Sequence, residues 1–126
     1  MHTPAPDAIL QTAFGFWNSK VLLTAVEFDL FSVLGQRRLT GNQLGRELGL
    51  HPRGICDFFD ALVAMKFLDR DGDGPEAKYF NTSAGTLYLD RHSPRYIGGI
   101  LEMLNARLFK YWHDLPEALR TGRPQS

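Results

Sequence analysis

At 126 residues the chain is long enough for one domain, and its 44% hydrophobic content allows a packed core and argues against wholesale disorder. Fourteen basic and fourteen acidic residues give a formal net charge of zero, without the basic excess of a dedicated nucleic-acid binder. The single cysteine, Cys56, excludes an internal disulfide and a cysteine-based zinc site; among apolar neighbours it reads as a buried, inert thiol. No apolar run reaches the roughly 18 residues of a membrane span, and the N-terminus lacks the positive charge of a secretory signal. A cytoplasmic location, with no membrane partner, is expected.

Pro4 and Pro6 mark a loose start, and Asp7 is placed to cap a helix. From Ala8 to Leu34 apolar residues are dense, which predicts one long helix, or two joined near Gly15 or Asn18-Ser19. A helix that is apolar nearly all round must be covered on several sides, and a domain this small can hardly surround it. The excess predicts a second copy of the chain as partner, a homodimer with Ile9, Leu10, Ala13, Phe16, Val21 and Leu22 at the contact. The competing reading is a central core helix in a monomer.

Gly35 should end this region. Thr40 can then cap a helix carrying Leu44 and Leu48, with Gln43 three residues on as in a capping box, and Gly49 stops it. His51-Pro52 restarts the chain, with Pro52 in a first turn, into a helix over Arg53 to Lys66. Ile55, Phe58, Phe59, Leu62, Val63 and Met65 should face inward. Phe67 to Arg70 and Lys78 to Asn81 read as strands flanking the turn Asp71 to Pro75. Helix, turn, helix and a two-stranded wing make a winged helix-turn-helix.

After the wing, Thr82 or Ser83 can cap a short helix from Ala84 to Leu89. Asp90 to Pro94 is a loop. Tyr96 to Phe109 has Ile97, Ile100, Leu101, Leu104 and Leu108 at helical spacing. A last helix over Tyr111 to Leu119 is interrupted at Pro116, and Thr121 to Ser126 terminates it as a linker. The fold class is therefore mainly α, a winged helix-turn-helix with a long N-terminal dimerisation helix and C-terminal helices. Its parts are 1–36, 37–81 and 82–126.

A winged helix raises the question of DNA binding, since its second helix commonly enters the major groove. Here that helix carries Arg53 but also Asp57 and Asp60. From Leu39 to Glu76 four basic residues (Arg46, Arg53, Lys66, Arg70) face seven acidic ones (Glu47, Asp57, Asp60, Asp69, Asp71, Asp73, Glu76). A net charge of this sign opposes phosphate binding. A regulator that binds DNA stays as the alternative, as does a standalone dimer module.

Trp17-Asn18-Ser19-Lys20-Val21-Leu22-Leu23-Thr24-Ala25-Val26-Glu27-Phe28-Asp29-Leu30-Phe31 resembles the opening helix of hydroxyindole- and plant-type O-methyltransferases, including bacterial enzymes that methylate polyketides. Leu39 to Asp71 resembles their winged-helix segment, "LGLHPRGICDFFDALVAMKFLDRD" most closely. Asn81-Thr82, Tyr96-Ile97-Gly98-Gly99, and Trp112-His113-Asp114-Leu115 with Leu119 to Pro124 come in the same order. The resemblance implies an N-terminal domain that intertwines two subunits and closes one side of the acceptor pocket. A Rossmann-like domain then follows, holding S-adenosylmethionine and a histidine base. This sequence stops at Ser126, before any glycine-rich cofactor loop after a strand, so no catalytic base carries over and the chain alone is expected to be inactive. Gly72-Asp73-Gly74 reads as a wing turn.

Within that framework Phe14 and Trp17, on one face of the first helix, are candidates for a wall against a small, flat aromatic acceptor, beside the plainer reading of packing. Met103, Asn105 and Phe109 stand on the helix that would face the absent domain, where Met suits an adaptable pocket and Asn105 could hydrogen-bond a substrate oxygen. Tyr111 and Trp112 read as anchors of the last helix. His2, His51, His92 and His113 show no metal-ligand spacing, His51 belongs to the turn before Pro52, and His113 pairs locally with Asp114. Asp57 and Asp60 share a helix face and read as solvated, as do Arg37-Arg38.

Overall fold

The computed structural model describes residues 3–123, apart from the side chains of 108–110. Helix α1 spans Asp7–Glu27, 21 residues or about 32 Å. Asp7 is its first helical residue and makes no side-chain cap, but its carboxylate sits in the first turn, where the helix dipole favours negative charge. Of the two readings open for this stretch, the unbroken one holds at Gly15 and Asn18-Ser19, through which α1 runs without a break. One interior glycine costs about 1 kcal/mol, too little to break a helix of this length. The break falls instead at Asp29, which adopts a left-handed conformation (φ 56°), and α2 (Leu30–Leu34) comes next. Gly35, also at positive φ, ends α2.

The short strand β1 (Leu39–Thr40) leads to α3 (Gly41–Glu47) through the predicted capping box. The Gln43 N–H donates to Thr40 Oγ1 at 3.2 Å, and the Thr40 N–H donates to Gln43 Oε1 at 2.9 Å. Helix α4 (Ile55–Ala64) starts two residues later than expected. Gly54 takes φ 79°, so Pro52 belongs to a preceding turn, which the Arg53 N–H closes by donating to His51 Nδ1 at 3.0 Å. Strands β2 (Leu68–Asp71) and β3 (Lys78–Asn81) pair antiparallel, Leu68 opposite Asn81 and Asp71 opposite Lys78. β1 joins them as a third strand, in the order β1-β3-β2. Two residues are too few to show a period, so this strand is not visible in the sequence.

The core lies where the end of α1 meets the winged helix. Ala25 and Val26 of α1, Leu30, Phe31 and Leu34 of α2, Leu44 of α3 and Ile55, Phe59 and Leu62 of α4 are buried there against Leu68 and Tyr79 of the wing. Phe58, Val63 and Met65 pack on it half-buried. Cys56 is exposed, not buried as its apolar sequence neighbours imply. With Ile55 and Phe59 facing inward, about 100° of rotation per residue turns position 56 to the surface.

Thr82 joins the wing to the C-terminal helices. Its hydroxyl lies 2.9 Å from the Lys66 carbonyl and receives the Gly85 N–H at 3.3 Å, making Thr82, not Ser83, the cap. A side chain at Gly85 would place Cβ 2.7 Å from the Phe67 carbonyl oxygen, so this close approach requires glycine. Gly85–Leu89 is a wide π-helical turn. Helix α5 (Gly98–Met103) begins two residues later than expected and continues through a second π-turn (Leu104–Leu108) into α6 (Phe109–Trp112). Leu101 packs on the core, but Ile97 and Ile100, which share its helical spacing, are exposed, because the helix lies along α1 rather than over the core. Pro116 opens α7 (Leu115–Thr121) instead of interrupting it, since its missing N–H is tolerated in a first turn.

Candidate functional site

The first half of α1 stands clear of the core of its own chain. Ile9 is 73% exposed, Phe16 54% and Trp17 56%, and Leu10, Phe14 and Ala13 are also exposed. Val21 and Leu22, one or two turns on, are half-buried against the chain's own core. The i, i+3 spacing brings the Phe14 and Trp17 rings into a near-parallel stack, centroids 4.8 Å apart and planes 9° apart. Phe16 meets Trp17 edge-on at 5.4 Å. The result is an aromatic ridge with a flat indole on its surface, which suits stacking or burial by another apolar face.

Met103 is exposed on α5. Asn105, in the π-turn, is engaged with α1: its amide oxygen accepts from Lys20 Nζ at 2.6 Å and its amide nitrogen donates to Glu27 at 2.9 Å. These residues line a cavity of about 360 Å³ with Leu23, Glu102 and Ala106. Asn105 therefore lines this cavity with its amide engaged by two side chains of α1. The Phe109 side chain lies outside the described residues. Tyr111 is half-buried, but Trp112 is 65% exposed, a correction to its reading as an anchor: the last turn of α6 carries it off the core.

The polar residues settle into structural roles. Asp60 is not simply solvated, as its helix face implies, but engaged. It accepts from the Tyr79 hydroxyl at 2.7 Å and lies 3.6 Å from Arg70, while Asp57 is exposed. Burial, then the neighbouring Asp60 carboxylate, pushes the Tyr79 phenol well above its ordinary range. The folded state thus binds that proton more tightly than the unfolded chain, whose phenol ionises near about pH 10. The stability from Tyr79 is complete below that pH and is lost progressively as pH rises from there towards the higher folded value. Urea midpoints between pH 8 and 11 should fall more steeply for the native protein than for Tyr79→Phe; parallel curves would refute the assignment.

Arg37 is bidentate to Glu47, at 2.9 and 2.5 Å, which holds the Glu47 carboxyl below its usual range. Arg38 lies over the Phe80 ring at 3.8 Å and reaches Asp71. The buried Asp90 carboxylate accepts from both the backbone N–H and ring of His92, at 2.9 Å each. Among the described residues no three metal-ligating side chains cluster, and no helix is long and apolar enough to cross a membrane. Sequence reasoning missed Asp29, Arg91 and Glu102, which meet in one ion-pair cluster. The available signal was an aspartate set inside the apolar run between Phe28 and Leu30.

With this geometry in view, comparisons place the chain. Residues 10–91 match the family described as the O-methyltransferase dimerisation domain. The Tetracenomycin polyketide synthesis 8-O-methyl transferase TcmO of Streptomyces glaucescens is 44% identical over 98% of this chain and 36% of its own length. Acetylserotonin O-methyltransferase of Gallus gallus is 34% identical over 95% of this chain and 35% of its own. The structure of human N-acetylserotonin methyltransferase in complex with SAM superposes with a TM-score of 0.89 at 27% identity, covering 98% of this chain and 36% of that one. The chain therefore spans about a third of the length of the relatives it matches. It belongs to the O-methyltransferase dimerisation-domain family.

Proposed function

We propose that this chain is the dimer-forming and pocket-closing part of an S-adenosylmethionine-dependent O-methyltransferase that acts on a small aromatic acceptor in natural-product biosynthesis. The observation that carries the reading is the uncovered apolar half of α1, with Ile9, Leu10, Phe14, Phe16 and Trp17 exposed together. A twin helix from a second copy removes that surface from water, as its size requires. The names of the relatives, a polyketide 8-O-methyl transferase and an acetylserotonin O-methyltransferase, support an oxygen acceptor on a small molecule. Phe14 and Trp17 supply a stacking wall for it, and Met103, exposed on α5, adds an adaptable apolar contact. The cytoplasm is the setting.

The described residues do not fit S-adenosylmethionine. A sulfonium nucleoside site on a strand needs a glycine-rich loop opening onto a helix N-terminus. Gly72 and Gly74 come after β2, but they lead into a three-residue 3₁₀ turn and then β3. Methyl transfer requires the donor held in line with the acceptor oxygen, so this chain by itself transfers no methyl group. DNA binding is disfavoured by Asp57 and Asp60 on α4 and by the acidic wing.

Light scattering on the purified chain should give twice the monomer mass at micromolar concentration; a monomer throughout would overturn the dimer. A hydroxylated naphthalene should quench tryptophan fluorescence in the native protein but much less in Trp17→Phe. Equal quenching would remove Trp17 from the acceptor wall and leave the dimer standing.

A further inference from the structure

We propose that Asp29 and Arg91 are positioning residues that latch α5 to the α1–α2 elbow and so set where Met103 and Asn105 stand; the second half of this rests on the acceptor-pocket function proposed for the chain. Asp29 is the elbow residue, held at φ 56° in a region that disfavours any side chain relative to glycine. Its Oδ1 accepts from Arg91 Nε at 2.5 Å. The other edge of the same guanidinium donates to Glu102 on α5. The Tyr96 ring lies beneath it, 5.4 Å from the guanidinium carbon, and the Arg91 backbone N–H donates to Ser32 Oγ on α2 at 2.9 Å. One loop residue thus ties together the elbow, α2 and α5.

The apolar hold on α5 is slight. Ile97, Ile100 and Met103 are exposed, and Leu101 is only half-buried against the core. Polar ties therefore fix this helix more than burial does. The tied groups are themselves 40–44% exposed, so each pair is weak and open to screening by salt. An arginine fork shared by two carboxylates fixes direction better than a point charge would. A left-handed aspartate kept at an elbow, with its carboxylate spent on an arginine 62 residues away, is strain retained for placement.

Hydrogen exchange read by mass spectrometry on the 126-residue chain separates this role from general stability. In Asp29→Gly the elbow relaxes while the tie is lost. The melting temperature should hold or rise, and the amides of 98–103 should exchange about threefold to tenfold faster, as expected for losing a weak pair. Arg91→Gln should speed the same amides, Arg91→Lys should restore part of the protection, and 1 M salt should reproduce the effect in the native protein. Unchanged exchange at 98–103 in both Asp29→Gly and Arg91→Gln would overturn the latch. So would faster exchange spread evenly over the chain. Sizing the same samples reports the α1 contact separately, so a failed latch and a failed dimer give different results.

Discussion

Replacing Phe59 with alanine will lower the stability of the protein by about 3–5 kcal/mol, the usual loss on truncating a fully enclosed aromatic ring. Phe59 has no exposed surface and sits where α4 meets the wing. Its ring meets Tyr79 edge-on at 5.3 Å and Phe58 at 5.8 Å. Truncation would remove these contacts and open a void in the buried cluster that also holds Leu30, Phe31, Leu34 and Leu62. Domains of this size hold about 5–15 kcal/mol in total, so the melting temperature should fall by roughly 10–20 °C. Phe58→Ala, at a half-buried position, should lose clearly less. If the two variants melt together, the core is not centred on Phe59.

The second large effect concerns association. The double variant Ile9→Asp with Phe16→Asp should weaken self-association by about 100-fold or more, because two central apolar contacts of an interface commonly carry about 2 kcal/mol or more each. Both side chains are exposed in the single chain, at 73% and 54%, so their replacement leaves the core untouched. Sedimentation should show a monomer where the native protein is dimeric, while circular dichroism keeps its helical signal. A variant that stays dimeric would move the interface away from this ridge. Val21→Ala is a useful contrast: Val21 also packs on its own chain's core, so it should lose thermal stability as well as association.

Much of the fold is written locally. The Thr40–Gln43 box, the glycine stops at 35 and 49, and the strand Lys78–Asn81 each depend on neighbours within a few residues, and each stands where the sequence places it. The departures have a different origin. The elbow at Asp29 is decided by tertiary packing of α2 and by Arg91, 62 residues away, which no window along the chain contains. The delayed start of α5 and the uncovered Ile97 and Ile100 reflect its placement along α1, whereas helical spacing alone groups them with Leu101. The candidate site is legible where one helix makes it, as with the Phe14–Trp17 stack. It is illegible where it needs two: the sequence leaves Asn105 free to meet a substrate, yet Lys20 and Glu27 of α1 already hold its amide.

The π-turn at Leu104–Leu108 has a consequence for the helices beyond it. A widened turn accommodates one residue more than an ordinary one, so every later side chain is rephased by about 100° around the helical axis. Removing a single residue from this turn would restore regular winding and leave Trp112 and the approach to α7 facing as they do, whereas removing one from the ordinary turns of α5 would swing them by about 100°. The π-turn is therefore the point in this arm at which a one-residue change of length is absorbed.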